Sequence, residues 1–398
     1  MINYLIRRSL QMILTIIFAT FAIFVILNAV PGGPLSGLNQ TGNTRDRLSD
    51  EQIARIEQAL GLNKPLPLRY LTWVAGEDWV DDVAAVIGRS EAWANYQTPR
   101  CIDAGRTNAG AQTDLETSPC GRGILRFDFG VSWQMARGQE VSEVIWGRLG
   151  NTVRLMATVS VLSLLIALPI GIISAVRQYS ILDYVVTTFG FFGLSMPVFW
   201  LGLILIIIFG FQFRECFGID ACKEAFGSLP YFPSGGVESS RILPGSIQDV
   251  FGVTKGSSFD RIIHLTLPTL MLTFASLASW SRFMRSSMLE VLRQDYVRTA
   301  RSKGLREYLV IVKHAARNAL IPVITIVVFE IPAIFSGAVL TESVFSYPGI
   351  GRLFIGALGG NDWPIVMAIL YISAILVVFA TLVGDILYTL IDPRIRFD

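Results

Sequence analysis

Residues 295–322 read DYVRTARSKGLREYLVIVKHAARNALIP, and two apolar runs, Ile262–Phe283 and Leu320–Leu340, flank this basic segment. Each run is long enough to cross a hydrocarbon core of about 30 Å as a helix. Gly304 permits a sharp change of chain direction in the middle of the segment. A short helix beside such a break can lie parallel to a membrane and fit a groove in another protein, but an ordinary positively charged loop has the same composition.

Apolar runs recur along the rest of the chain, and together they predict an all-α membrane protein with six transmembrane helices. Of the 398 residues, 52% are hydrophobic and 16% are charged, which is too little polar surface for a soluble protein. Membrane bundles tolerate prolines within such runs, here Pro169, Pro197, Pro268 and Pro332. The remaining runs are Leu10–Val30, Thr152–Val176, Val185–Phe213 and Ile365–Ile391.

The first apolar run has two interpretations. Arg7 and Arg8 precede it and small residues occur near Ala29, as in a secretory signal peptide. The run is longer than the usual apolar core of a signal peptide, and Pro31 would follow a cleavage after Val30. We therefore favour an uncleaved transmembrane helix.

The distribution of Lys and Arg predicts the orientation of the six helices. Basic residues precede the first run, occupy the turn after the second, dominate the loop 285–318 and follow the last run. With six spans, all these positions lie on one side, which we expect to be the cytoplasm together with both termini. The residues are Arg7, Arg8, Arg177, Arg285, Arg293, Arg298, Arg301, Lys303, Arg306, Lys313, Arg317, Arg394 and Arg396.

The long polar segment 31–148 then lies on the outer side, as do the loops 214–261 and 341–364. Apolar residues at helical spacing predict a helix capped by Ser49 or Asp50 and ended by Gly61, and a second helix at Leu66–Val74. Residues 76–123 lose this pattern and resemble an insertion. A solvated outer cap is the favoured interpretation, and contact with an external partner is the alternative.

All four cysteines fall in these outer segments. Their spacing contains no CxxC pair, which argues against a zinc or iron–sulfur site. Thiols in an oxidising compartment tend to pair, so local disulfides are expected for Cys101 with Cys120 and for Cys216 with Cys222.

The basic segment resembles the EAA loop of binding-protein-dependent ABC importer permeases, specifically of the dipeptide/oligopeptide permease group. The pattern of that group is close to DYVRTARAKGL followed by HALRNALIP. This chain matches it at Asp295–Leu305, with Ser302 for alanine, and at His314–Pro322, with Ala316 for leucine. Arg298 replaces the glutamate that gives the EAA loop its name, as is usual in the peptide group.

Further blocks extend this resemblance over nearly the whole chain apart from about 76–123. One departure is Gly33, where the group usually has aspartate. The block after the fifth run forms an external motif that contains Phe345, Tyr347, Pro348, Gly349, Gly351 and Arg352. The blocks are Leu60–Leu66, Phe127–Ser132, Arg148–Leu155, Val344–Leu353, Asn361–Pro364 and Asp392–Arg394.

The resemblance implies a type I ABC importer permease fold with an enlarged extracytoplasmic segment, in the cell membrane of a bacterium or archaeon. Residues 1–30 would form the first helix, 31–148 the outer segment and 149–398 a five-helix core. The partners would be a homologous second permease, two cytoplasmic ATPases, an external solute-binding protein and the lipid bilayer. The residues expected to couple to an ATPase are Asp295, Tyr296, Arg298, Thr299, Ala300, Lys303, Gly304 and Leu305.

By resemblance the cargo is a di- or oligopeptide, but related permeases carry nickel complexes, glutathione or oligosaccharides. A membrane-anchored receptor remains a rival function. Intramembrane enzymes are disfavoured because GxSG-like, GxGD and HExxH sequences are absent, and the missing GxxxxGK[ST] loop assigns ATP hydrolysis to another chain. No catalytic residue, cofactor, metal or nucleic acid is expected.

Two acidic residues lie within apolar runs, where ionisable groups are usually functional. Glu330 can face the transport pathway or serve the structure, and both interpretations stay open. Asp385 is expected to be structural because it lies near the end of its run. His264 and His314 are expected to be satisfied histidines at the membrane edges.

Overall fold

The computed structural model describes residues 2–29, 64–76, 122–336 and 338–391. This part of the chain is helical, without a β-strand beyond two isolated bridges, which confirms the all-α prediction. The main helices are α1 (Ile2–Ala29), α2 (Leu66–Ala75), α3 (Val141–Val176), α4 (Ile181–Ser195), α5 (Val198–Leu205), α6 (Ser258–Leu292), α7 (Asp295–Ser302), α8 (Ile321–Ser336), α9 (Val339–Val344), α10 (Ile350–Gly359) and α11 (Trp363–Ile391).

Shorter helical turns connect these elements. A π-helical stretch, Ile206–Gln212, continues α5, and another lies between α7 and α8 at Val310–Ala316. The other turns are Ile124–Arg126, Cys216–Gly218, Asp220–Phe226, Ile247–Val250, Glu307–Leu309 and Arg317–Ala319.

Four helices in the described part are long and apolar enough to cross a membrane: α1, α3, α6 and α11. Two helix pairs meet the same criterion only together and are bent, by 99° between Ile181–Gly193 and Val198–Gln212 and by 44° between Glu307–Ala319 and Ile321–Glu330; each is a broken span or a re-entrant loop. The described part of the chain therefore has four such helices, or six spans if each bent pair crosses once, and the predicted number of six stays a prediction.

The third predicted run, Val185–Phe213, is therefore not one straight helix. Met196 has extended backbone angles because it precedes Pro197, and α4 ends at Ser195 for this reason. The fifth run also differs from the prediction, since α8 ends at Ser336 instead of Leu340.

The chain divides into two compact units. One unit contains Gly150–Arg352 and the chain from Leu376 onward. Its core has two clusters of buried side chains. One is centred on Met284 and Met288 of α6, and the other on Met271, Phe345 and Tyr347.

The second unit contains the chain from Ile6 to Leu149 and Leu353–Ile375. Here α2 matches the predicted second outer helix. Tyr70 of α2 packs edge-on against Phe24 of α1, and its hydroxyl lies 2.9 Å from Thr20 Oγ1. The predicted helix that ends at Gly61, residue Gly33 and the block Asp392–Arg394 lie outside the described residues.

Candidate functional site

The basic segment begins with α7, a helix of eight residues. Asp295 occupies its first turn and Arg301 its last, which places each charge at the favourable end of the helix dipole. The helix ends in a Schellman motif: Gly304 N donates to Arg301 O and Leu305 N donates to Ala300 O. Gly304 has φ +73°, so the sharp turn expected from the sequence is present.

One face of α7 packs against the chain's own core. Val297 and Ala300 are buried among side chains of α6 and of Val310–Ala316. Ala300, one of the residues expected to couple to an ATPase, instead faces this core. The other predicted coupling residues are exposed on the opposite face and the following turn, and they are Asp295, Tyr296, Arg298, Thr299, Lys303, Gly304 and Leu305.

An ion pair closes the turn after α7. Arg301 Nη2 lies 2.7 Å from Glu307 Oε1, and this hydrogen bond raises the pKa of Arg301 above its usual value. Both side chains are about half exposed, so solvent weakens the pair and its contribution to stability is small. The pair joins the last turn of α7 to the residue that follows the turn, Glu307.

The external motif surrounds a carboxylate that sequence analysis did not single out. Glu342 of α9 is fully buried. Its Oε1 accepts a hydrogen bond from Thr152 Oγ1 at 2.8 Å, and its Oε2 accepts one from the backbone N of Arg352 at 2.9 Å. Thr152 Oγ1 in turn accepts from Ile350 N at 2.7 Å. The carboxylate thus joins α3, α9 and the start of α10.

The glycines of the motif are explained by the same carboxylate. A Cβ atom at Gly349 would collide with Glu342 Oε1 and Thr152 Oγ1, and one at Gly351 would collide with the backbone of Val339. Burial raises the pKa of Glu342 above the usual value for glutamate, although its hydrogen bonds act in the opposite direction. The site therefore requires glycine at both positions and hydrogen-bond donors around Glu342.

The aromatic residues of the motif are internal as well. Phe345 and Tyr347 are buried, and burial raises the pKa of Tyr347 to about 12. The Tyr347 hydroxyl donates to Asn151 O at 3.2 Å, and Asn151 Nδ2 donates to Pro348 O at 3.0 Å. Arg352 is exposed and donates through Nη1 to Ser346 O at 2.6 Å. Most of this motif is therefore buried and hydrogen-bonded to α3, and Arg352 lies on its surface. We call this arrangement the bracket.

A second buried carboxylate joins two of the sequence blocks in the other unit. Asp362 is fully buried and accepts a hydrogen bond from Ser132 Oγ at 2.5 Å. It also accepts from the backbone N atoms of Trp133, Gln134 and Met135, at 3.1, 3.0 and 2.9 Å. The blocks Phe127–Ser132 and Asn361–Pro364 thus meet in space.

A partly buried ion pair joins α4 to α6. Asp183 accepts from Arg285 Nε at 2.7 Å and from Arg285 Nη2 at 2.8 Å. Ser174 Oγ and the backbone N of Tyr179 also donate to Asp183. Such a bidentate pair is stable only because every lone pair of the carboxylate has a donor.

The remaining sequence candidates are dispersed. Glu330 is half-buried and accepts from Ser160 Oγ at 3.2 Å. Asp385 is half-buried in α11, and His314 is half-buried in the π-helical stretch before α8. His264 is buried, with Nε2 3.1 Å from Ser239 Oγ and Nδ1 2.9 Å from a backbone carbonyl, as expected for a satisfied histidine.

The loop after α5 carries a disulfide between Cys216 and Cys222, whose Cα atoms are 5.7 Å apart. Lys223 and Glu215 form an ion pair of 2.9 Å beside it. The other predicted pair, Cys101 and Cys120, lies outside the described residues. Within the described part of the chain, no group of three or more His, Cys, Asp or Glu side chains could hold a metal ion.

Comparison with known families identifies the class of protein. Residues 167–397 match the family described as binding-protein-dependent transport system inner membrane component. Residues 1–93 match the N-terminal domain of such components. The chain belongs to this family. The predicted ABC permease class is thereby confirmed, and the chain is a membrane subunit of a binding-protein-dependent transporter.

Curated relatives align with this permease over their full lengths. It is 35% identical over 397 residues to the oligopeptide transport system permease protein AppB of Bacillus subtilis, with all of both chains covered. It is 31% identical to the dipeptide transport system permease protein DppB of Alkalihalophilus pseudofirmus, again with all of both chains covered. With DppB of Escherichia coli K12 it shares 28% identity over all of this chain and 99% of the relative.

Proposed function

We propose that this permease forms half of the translocation pathway of an ATP-driven importer for di- or oligopeptides. A homologous second permease supplies the other half, two cytoplasmic ATPases supply the energy, and an external solute-binding protein delivers the peptide. The substrate class rests on the relatives, which are named as oligopeptide and dipeptide permeases.

The observation that carries the coupling role is the construction of α7. Val297 and Ala300 anchor one face in the core, while Tyr296, Arg298 and Thr299 are exposed on the other. A helix fixed in this way transmits a push on its outer face to α6 as a rigid body. We assign the exposed face to an ATPase groove, and we place it with both termini in the cytoplasm on the basis of the positive-inside rule.

The external motif serves as a bracket at the opposite end of the pathway. Glu342, Thr152 and the two glycines hold α3 against α9 and α10, so these elements move as one body during alternating access. Arg352 is the exposed motif residue suited to an external contact. The Cys216–Cys222 disulfide is consistent with the outer placement of its loop.

Glu330 is proposed as a pathway residue. It lies in a bent helix pair, and in the described part of the chain its carboxylate accepts a hydrogen bond from the neutral hydroxyl of Ser160. A carboxylate with a neutral partner in a membrane bundle suits contact with water or with a cationic group of the cargo.

The test is reconstitution of the full importer in proteoliposomes with its binding protein. Uptake of dialanine and of pentaalanine, both with free termini, is measured with and without ATP. The proposal predicts ATP-dependent uptake of at least one peptide, which needs both the binding protein and the ATPases. Uptake of nickel complexes, glutathione or oligosaccharides in place of peptides would contradict the substrate class. Ligand binding without any transport would favour a receptor.

A further inference from the structure

One face of α6 is polar although the helix spans the membrane. Ser279, Arg282 and Ser286 follow one another at spacings of three and four residues, so they lie on one side of the helix. All three are exposed in the isolated chain. The stripe begins within the apolar run Ile262–Phe283 and reaches the loop 285–318, and ionisable groups in membrane helices face water or the interior of a bundle.

The stripe lines a groove. The groove is partly open and has a volume of about 570 Å³. Its lining residues all lie on α6, and they are the three stripe residues with Phe283, Arg285 and Leu289. This volume lies within the range of small-molecule sites, which is about 300–1,000 Å³.

The two arginines of the groove differ in whether a carboxylate neutralises their charge. Arg285 is held by the bidentate hydrogen bonds to Asp183. In the described part of the chain, Arg282 has no carboxylate within ion-pair distance, and its guanidinium lies 5.8 Å from the ring centroid of Phe191. A cation–π contact leaves the N–H donors at the edge of the guanidinium available. Arg282 thus presents an unneutralised positive charge to the groove.

We propose that Arg282 binds the terminal carboxylate of the transported peptide, with Ser279 and Ser286 as neutral donors beside it. This inference rests on the proposed peptide function. A guanidinium matches a carboxylate with two parallel hydrogen bonds, which makes it a better partner than a lysine ammonium. The Asp183–Arg285 pair fixes the neighbouring turn of α6 and holds Arg282 in position, so Asp183 and Arg285 are positioning residues.

The experiment uses the reconstituted importer and the alanine peptide that the wild-type complex transports. Uptake of the free acid is compared with uptake of its C-terminal carboxamide for wild type and Arg282→Gln. Loss of a charge-assisted hydrogen bond predicts a fall of about tenfold or more for the free acid and less than about twofold for the amide. Arg282→Lys is expected to recover part of the uptake of the free acid.

Arg261→Gln is the matched control, because Arg261 lies on the same helix outside the groove and is half exposed. Its uptake of both peptides should stay within about twofold of wild type. Equal loss of both peptides in Arg282→Gln would overturn the proposal, since it would indicate pairing with a lipid phosphate or with an acidic residue of the second permease. Unchanged uptake of the free acid would also overturn it.

A second measurement covers the case in which the binding protein rejects the amide. A thiol introduced by Phe283→Cys, which lines the groove without being one of the proposed donors, is labelled during turnover with and without the free-acid peptide. The proposal predicts that the peptide slows labelling, and that adding Arg282→Gln abolishes this protection. Absence of protection with Arg282 intact would contradict the proposal. Failure of wild type to transport any peptide would instead refute the proposed function, so the two failures are distinguishable.

Discussion

Thr152 Oγ1 lies 2.8 Å from Glu342 Oε1, although the two residues are separated by most of the permease core in sequence. The hydroxyl donates to the carboxylate and accepts from Ile350 N, so one side chain satisfies two buried groups. These hydrogen bonds bring together in the fold two sequence blocks that lie far apart in the chain, Arg148–Leu155 and Val344–Leu353.

Thr152→Val removes the hydroxyl while keeping the shape of the side chain. Glu342 and Ile350 N then each lose a hydrogen bond in a buried site, and we expect a loss of about 1–3 kcal/mol of stability. The measurement is the thermal unfolding of the detergent-solubilised permease. Thr158→Val on the same helix is the control, because Thr158 is exposed and bonds to the backbone of its own helix. Equal effects of the two substitutions would contradict the role of Thr152.

The raised pKa of Glu342 predicts a pH dependence of stability. Because its pKa is higher in the folded state than in the unfolded state, its contribution is fully present below about pH 4.5 and is lost as pH rises through the folded pKa. Glu342→Gln removes this titration. The stability of wild type relative to Glu342→Gln should therefore decrease as pH rises above about 4.5. A difference that is constant with pH, or that increases, would be inconsistent with the site.

Gly304→Val tests the turn after α7. A Cβ atom at Gly304 meets no other atom within 4 Å, so the cost is the positive φ itself, about 1–2 kcal/mol for a residue with a side chain. We expect the change to uncouple transport from ATP hydrolysis or to prevent ATPase docking, while membrane insertion is retained. Peptide uptake and ATPase activity are measured together in proteoliposomes.

Gly147→Val is the matched control for this substitution, since Gly147 also has open space around its Cβ position but has ordinary helical angles. It should leave coupling intact. Normal coupled uptake by Gly304→Val would argue against the assigned role of the turn.

The Cys216–Cys222 disulfide predicts a cross-linked peptide in non-reducing peptide mapping, which separates into two peptides after reduction. The closed loop is short, with a sequence separation of 6, so Cys216→Ser should cost about 2 kcal/mol in the chain-entropy model. Two free thiols at these positions in the native protein would refute the pairing.

Much of the helical fold follows from the apolar runs, but the breaks do not. Pro169 and Pro268 lie inside continuous helices, whereas Pro197 follows the end of α4. The sequence signal is the same in all three cases. Whether the preceding residue adopts extended angles, as Met196 does, depends on tertiary packing that a single sequence does not reveal.

The candidate sites also divide into features that the sequence predicts and features that depend on tertiary contacts. The basic segment was singled out because it resembles the EAA loop, whereas its charge and its glycine alone were equally consistent with an ordinary cytoplasmic loop. Glu342 and Asp362 were missed as buried hydrogen-bond centres, because their partners come from α3 and from the block Phe127–Ser132. The available signal was the spacing of Gly349 and Gly351 after an acidic residue, which indicates a close approach of backbone to a side chain.

The central claim is that the exposed face of α7 contacts an ATPase in the cytoplasm. The most direct measurement is cysteine cross-linking in the assembled importer, with Arg298→Cys on the exposed face and Ser343→Cys on the exposed part of α9 as the control. If the exposed face of α7 docks on the ATPase, Arg298→Cys forms a nucleotide-sensitive cross-link to the ATPase subunit and Ser343→Cys does not. Labelling of Arg298→Cys by a membrane-impermeant reagent from the outer surface, with no cross-link to the ATPase, would contradict it.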